Sequence, residues 1–146
     1  MPCDALCPDA TVAADRAISI AAPPSLVFAW LCQLRVAPYS YDILDNLGRR
    51  SPRERNPDLV QLAVGQRFMT MFALQSFVGG EQITLRSKGV AVSYTVRSDG
   101  AGSRLHVRVL FDGPPPLARA LALGDLVMMR KQLLTLKSLA EREAAL

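Results

Sequence analysis

The sequence predicts an α+β fold, in which a meander of antiparallel strands is followed by one long C-terminal helix. Two observations carry this prediction. Between residues 65 and 111, apolar and polar residues alternate in short runs, which is typical of an antiparallel sheet with one dry face. From Gly124 to Leu146 the apolar spacing changes to that of a helix. Strands followed by a helix favour an α+β fold over a parallel α/β fold.

The chain before this sheet is predicted to contain a flexible segment, one strand and two helices. Residues 1–15 mix Pro, Asp, Ala and Cys without a period and are typical of a flexible lead-in. Residues 16–21 alternate and predict the first strand of a single domain that spans residues 16–146. A helix entered through two prolines follows, and a second, short helix is predicted at residues 41–47.

Glycine turns divide the sheet region into four predicted strands, at residues 65–78, 82–86, 90–97 and 104–111. In the first of these, alternation places Phe72 on the same face as Phe68 and Leu74. His106 falls on the polar face of the last strand and is predicted to face solvent. The apolar face expected to meet the C-terminal helix comprises Ile83, Leu85, Val92, Tyr94, Val107 and Val109.

The C-terminal helix is predicted to begin at Gly124 and to be capped by Asp125, whose charge suits a helix N-terminus. At about 100° per residue, its apolar side chains share one arc of roughly 160°. Gln132 projects from the same arc. It is expected either to bond a neighbouring group or to contact a ligand, because leaving it without a partner costs about 1–3 kcal/mol. The apolar members of the arc are Leu126, Met128, Met129, Leu133, Leu136, Leu139 and Ala140.

Composition and charge exclude several classes of protein. The 146 residues carry a formal net charge of +4, a surplus too small to indicate nucleic-acid binding. No apolar run approaches the roughly 18 residues of a membrane span, so no stable membrane insertion is expected. The N-terminus lacks the basic stretch and apolar core of a secretory signal, which makes the cytoplasm the expected location.

The cysteines and the known motifs indicate neither a metal site nor a cofactor. Cys3 and Cys7 have a C-x3-C spacing, but His106 is the single histidine, and a zinc site needs about four ligands. Cys32 makes the cysteine count odd, so we expect free thiols in a reducing compartment. The sequence contains no G-x-G-x-x-G, Walker or H-E-x-x-H motif. One solvent-facing histidine also supports no nucleophilic triad.

Two stretches carry a family resemblance: AISIAAPPSLVFAWL at residues 17–31, and GDLVMMRKQLLTLKSLAE at residues 124–141. They resemble the START/Bet v 1-like superfamily, also called SRPBCC or polyketide cyclase/dehydrase-like. A third stretch, QLRVAPYSYDILDNLGRRSP at residues 33–52, is similar to a segment of uncharacterised bacterial members. The resemblance covers residues 16–143 and implies a helix-grip fold. In that fold a curved antiparallel sheet wraps around the C-terminal helix, two short helices follow the first strand, and a cavity lies between sheet and helix.

The candidate ligand-binding residues are those predicted to line this cavity or its mouth: Trp30, Tyr39, Tyr41, Asp42, Asn46, Phe72, Tyr94, Met128, Gln132 and Leu136. Tyr94 offers a ring and a hydroxyl that needs a partner, which a core position explains as well as a ligand does. Asp42, near Tyr41, is the candidate acid/base, and Tyr41 is a further catalytic candidate. A short helix with internally paired side chains explains these two residues equally well.

Three functions stay open on this evidence. The predicted inward side chains are mainly apolar, which favours binding of a small hydrophobic ligand that is lipid-, polyketide- or aromatic-like. The alternative is a polyketide cyclase/dehydratase-like enzyme in which Asp42, Tyr41 or Tyr94 handles protons. The third is a protein-interaction or co-chaperone module that uses the arginines of residues 49–55, which otherwise form a solvated loop. A monomer or a homodimer is expected, since nothing blocks or demands pairing through a strand edge.

Overall fold

The structure is a computed structural model that describes residues 1–37, 39 and 52–146. Its elements, in chain order, are α1 (Cys3–Leu6), β1 (Val12–Ile20), α2 (Pro24–Cys32), two 3-10 turns (Gln33–Arg35 and Pro57–Val60), β2 (Arg67–Phe68), β3 (Phe72–Val78), β4 (Gln82–Ser87), β5 (Val90–Asp99), β6 (Gly102–Phe111) and α3 (Pro115–Ala144). The short helix predicted at residues 41–47 lies outside the described residues. None of the described helices combines the length and apolar character needed to cross a membrane.

The six strands form one antiparallel sheet in the order β1-β6-β5-β4-β3-β2. Short turns join β2 through β6 in sequence, and β1 pairs with β6 at the other edge. Helix α3 packs on β1 and β6, while α2 packs on β5, β6 and α3. The predicted α+β class and helix-grip arrangement are therefore confirmed.

The core lies between the inner face of the sheet and the two longer helices. The six residues predicted on that face are all buried, with at most 2% of their surface exposed. The predicted alternation agrees with the structure because a new strand begins after each of the turns at Gly89 and Gly100. These two glycines adopt φ angles of 74° and 60°, which other residues rarely do. Side chains directly opposite on paired strands share a face, so Arg16, opposite Val107, lies on the inner face as well.

Helix α3 begins nine residues earlier than predicted, at Pro115 rather than Gly124. Prolines at the first helical positions lose no hydrogen bond, because those N–H groups have no partner within the helix. Gly124 lies inside the helix on an exposed side, where a glycine costs about 1 kcal/mol, too little to end it. The prediction that Asp125 caps the helix was therefore wrong; Asp125 lies in its interior.

The apolar arc of α3 also differs from the prediction at its N-terminal end. Leu126 is 44% exposed, and Met128 is only half-buried. From Met129 onward the arc is buried as predicted. The difference arises because the C-terminal half of α3 covers the sheet, whereas Ala118 is the single buried residue described between Pro115 and Met128.

The strand predicted at residues 65–78 is two strands. Met69 and Thr70 have φ angles of 50° and 65° and turn the chain, so that Phe68 in β2 lies opposite Phe72 in β3. Alternation continues across so tight a turn, which is why spacing alone did not reveal it. Met71, at the tip of the turn, is 76% exposed.

Regular structure begins before residue 16, within the segment predicted to be a flexible lead-in. Helix α1 spans Cys3–Leu6, and β1 starts at Val12, opposite Phe111. Cys3 and Cys7 are buried on the outer face of the sheet with Ala91 and Leu110. Pairing with β6 supplies the backbone hydrogen bonds of this stretch, which local composition did not predict.

Candidate functional site

A set of four polar side chains lies on the inner side of the fold, and we call it the interior polar group: Arg16, Tyr94, Asp125 and Gln132. Arg16 comes from β1, Tyr94 from β5, and the other two from α3. Asp125 and Gln132 are seven residues apart, which places them on one face of the helix, two turns from each other. The group combines a permanent cation, an acid, a phenol and an amide.

Tyr94 and Gln132 form the best-defined contact in this group. The Tyr94 hydroxyl donates to Oε1 of Gln132 at 2.8 Å, and both residues are buried. Nε2 of Gln132 lies 3.4 Å from the Met69 sulfur and donates to it. Gln132 therefore has neighbouring partners, which was the alternative to a ligand contact.

The Tyr94 hydroxyl stays protonated at ordinary pH. Burial raises its pKa far above the usual value of 10.0, the charge of Asp125 raises it further, and the hydrogen bond to Gln132 opposes the increase. Tyr94 can therefore donate a hydrogen bond, but it cannot act as a base. This limits the role in proton transfer that the sequence left open for it.

Asp125 is the acidic member of the group. Burial raises its pKa from 3.8 to about 6, although the positive charge of Arg16 acts in the opposite direction. Its Oδ2 atom is buried and has no hydrogen-bond partner. An acid in such surroundings changes its protonation state close to neutral pH.

Arg16 is close enough to influence Asp125, yet the two do not form an ion pair. Nη1 of Arg16 donates to the carbonyl oxygen of Asp15 at 3.1 Å. Its Nε atom is buried and, like Oδ2 of Asp125, has no hydrogen-bond partner. Leaving a buried donor or acceptor unpaired costs about 1–3 kcal/mol, and more for a charged group. A donor and an acceptor thus lie inside the same core, each without a partner.

Apolar and thioether side chains belong to the same core as Tyr94, and Met69 contacts the interior polar group through Gln132. Of the predicted ligand-binding residues, Leu136 is fully buried in the core, Phe72 packs on it partly buried, and Met128 is half-buried. Met69 also packs on this core. Methionine side chains adapt readily to differently shaped neighbours.

Trp30 and Tyr39 lie elsewhere, near the C-terminal end of α3. The Trp30 ring meets Tyr39 edge-on, with ring centres 6.0 Å apart. Its Nε1–H donates to Oε2 of Glu143 at 2.9 Å, and Arg55 binds the same carboxylate at 2.9 and 3.3 Å. Gln132 and Glu143 are separated by eleven residues, or about 16 Å of helix. The predicted ligand-binding residues therefore divide into two places.

A surface cleft of about 270 Å³ lies beside Glu143; its lining includes Trp30, Arg53, Glu54, Arg55 and Arg142. The arginines here make structural contacts: Arg55 pairs with Glu143, and Arg142 donates to the carbonyl oxygen of Arg53 at 2.6 Å. In the described part of residues 49–55, the basic loop is thus tied to α3. Whether it binds a partner stays a prediction.

Three of the predicted site residues, Tyr41, Asp42 and Asn46, lie outside the described residues. Their roles in catalysis and binding stay predictions. His106 is 40% exposed at its side chain and lies 2.9 Å from Asp15 on the outer face, as predicted. Within residues 1–37, 39 and 52–146, no three His, Cys, Asp or Glu side chains are grouped as metal ligands would be.

Sequence reasoning missed Arg16 and Asp125 as site residues. The signal for Arg16 was its alternation with Ile18 and Ile20, which put a cation on an otherwise apolar face. The signal for Asp125 was its seven-residue spacing from Gln132. The interpretation of Asp125 as the helix cap concealed this second signal.

Comparison with solved structures supports the fold. A Nitrosomonas europaea protein matches with a TM-score of 0.60 at 11% identity, covering 91% of this chain and 96% of the other. A Rhodobacter sphaeroides protein matches with a TM-score of 0.60 at 14% identity, covering 93% and 95%. The Aha1 dimer from Colwellia psychrerythraea matches with a TM-score of 0.52 at 14% identity, covering 89% and 96%. No protein-family model and no curated protein matches the chain. These likenesses support the helix-grip fold that the sequence predicted.

Proposed function

We propose that this protein binds a small, largely apolar molecule between the sheet and α3, with the interior polar group contacting the ligand's polar end. The observation that supports this most is Asp125, whose Oδ2 atom is buried without a hydrogen-bond partner and whose pKa is raised to about 6 by burial. Small-molecule sites are commonly apolar with a few placed polar groups. The half of α3 that carries Asp125 is also its less buried half.

An enzymatic function is the second candidate, and Asp125 is the observation in its favour. Its pKa of about 6 suits a general acid or base near neutral pH. A cyclase- or dehydratase-like reaction needs a second proton-transfer group, and Tyr94 is held protonated. Binding therefore explains the described residues with fewer requirements. The co-chaperone alternative has no comparable contact in its support among the described residues.

The proposed function is tested with N-phenyl-1-naphthylamine, a neutral probe whose fluorescence increases in apolar sites. We expect saturable binding with one probe per chain. Met128→Trp fills space beside the interior polar group and should weaken binding at least tenfold. Leu134→Trp is the matched control, because Leu134 lies on the same helix but is 46% exposed. Absence of saturable binding by the wild-type protein, or equal weakening by both variants, would refute the proposal.

A further inference from the structure

We propose that the ligand is an apolar monocarboxylic acid, whose carboxylate lies between the Arg16 guanidinium and the Asp125 side chain. This inference rests on the proposed function and specifies the class of ligand. It starts from the two buried atoms without partners, Nε of Arg16 and Oδ2 of Asp125. A single ligand group that accepts a hydrogen bond from Nε of Arg16 and also forms a hydrogen bond with Oδ2 of Asp125 would satisfy both atoms.

The charge of Arg16 favours an anionic ligand. Arg16 takes part in none of the ion pairs among the described residues. An arginine is charged at any ordinary pH, and its planar fork of donors matches the two oxygens of a carboxylate. Arg16 is half-buried and its Nε atom is buried without a partner, so an anion that reaches it gains both a charge pair and hydrogen bonds.

Asp125 selects a carboxylate that can share a proton. Two carboxyl groups side by side do not both ionise; one retains a proton and donates it to the other. Because the pKa of Asp125 is already raised to about 6, the arriving anion finds an acid that takes up a proton readily. The charged group that acts on Asp125 among the described residues is Arg16 from β1, and the Tyr94 hydroxyl, on which Asp125 acts in turn, stays protonated and supplies no competing negative charge.

We expect the remainder of the ligand to be apolar because the side chains proposed to contact it are apolar. Met69, Phe72 and Met128 offer no charge, and the two methionines adjust to linear or ring-shaped molecules. A neutral alcohol of the same size would meet the same walls but would leave the charge of Arg16 uncompensated. The acid should therefore bind more tightly than the matching alcohol.

The experiment compares acids with alcohols by isothermal titration calorimetry, using octanoate with 1-octanol and 4-phenylbutyrate with 4-phenyl-1-butanol. We expect at least one acid to bind more than tenfold tighter than its alcohol at pH 6. If only the protonated Asp125 accepts the anion, its affinity falls about 50-fold from pH 6 to pH 8. Asp125→Asn retains a donor and should bind acids with little dependence on pH.

Arg16→Met should remove the preference for acids while preserving binding of the alcohols. Arg104→Met is the matched control, since Arg104 lies on the exposed face of β6 and contacts Ser19 there. Circular dichroism confirms that each variant is folded. Equal binding of acids and alcohols, or no binding of either acid by a protein that binds N-phenyl-1-naphthylamine, overturns the inference but not the proposed function. Failure of that neutral probe would instead refute the proposed function.

Discussion

Replacing Asp125 by asparagine should stabilise the protein at alkaline pH. Burial raises the pKa of Asp125 from 3.8 to about 6, so ionising it in the folded state is less favourable than in the unfolded chain. Each pKa unit corresponds to about 1.4 kcal/mol, which gives a cost of about 3 kcal/mol once the group is ionised. The cost is absent below pH 3.8, grows as pH rises, and is fully present above pH 6.

Urea denaturation at pH 5 and pH 8 measures this effect through the free energy of unfolding. Asp125→Asn should exceed wild type by about 1.6 kcal/mol at pH 5 and by about 3 kcal/mol at pH 8, so its advantage grows by about 1.4 kcal/mol between the two. Asp9→Asn, at an exposed position, is the control and should change nothing at either pH. If Asp125→Asn instead destabilises the protein more at pH 8 than at pH 5, the ionised carboxylate is stabilised in the fold, and the reasoning fails.

Three further substitutions test the described contacts. Tyr94→Phe removes the buried hydrogen bond to Oε1 of Gln132 and should cost about 1–3 kcal/mol by urea denaturation at pH 7, and Gln132→Leu in the same chain should recover part of that loss. Glu143→Gln weakens the bond to Trp30, the single tryptophan, and should change its fluorescence. The hydrogen bond and charge of Arg55, and to a smaller extent the hydrogen bond from Trp30, keep the pKa of Glu143 below 4.5, although burial acts to raise it. The same fluorescence change should therefore appear in wild type as pH falls below 4.5 and Glu143 is protonated. Leu136→Ala should cost about 2–5 kcal/mol, because Leu136 is 1% exposed.

The fold could be predicted because periodicity reports burial directly. Alternation in β5 and β6 places Tyr94 and Val107 inside, and the structure agrees. Element boundaries were less predictable because competing local preferences are small. Gly124 costs about 1 kcal/mol within a helix, which is too little to end a helix that continues on both sides of it. Alternation likewise does not distinguish one strand from a tight hairpin, as Met69 and Thr70 show.

The site was less predictable than the fold, because its chemistry depends on residues that come from distant parts of the chain. Gln132 and Tyr94 were both candidates, but their mutual hydrogen bond required the register of α3 on β5. Trp30 was predicted to line the same site, yet its indole N–H donates a hydrogen bond to Glu143, near the C-terminal end of α3. Spacing predicts which face a residue occupies; it does not predict which residue it meets across the core.

A structural role alone accounts poorly for Asp125. On α3 it begins a stripe that continues through Met129, Gln132 and Leu136, all of them buried. A leucine at this position would extend the stripe without the cost of about 3 kcal/mol that an ionised aspartate imposes above pH 6. Arg16 on the facing strand has a buried Nε atom without a hydrogen-bond partner, which is also unfavourable, and its charge offsets only part of the cost of ionising Asp125. Two unfavourable polar residues on opposite sides of one core are explained together if a third group binds both, which is the role proposed for the ligand.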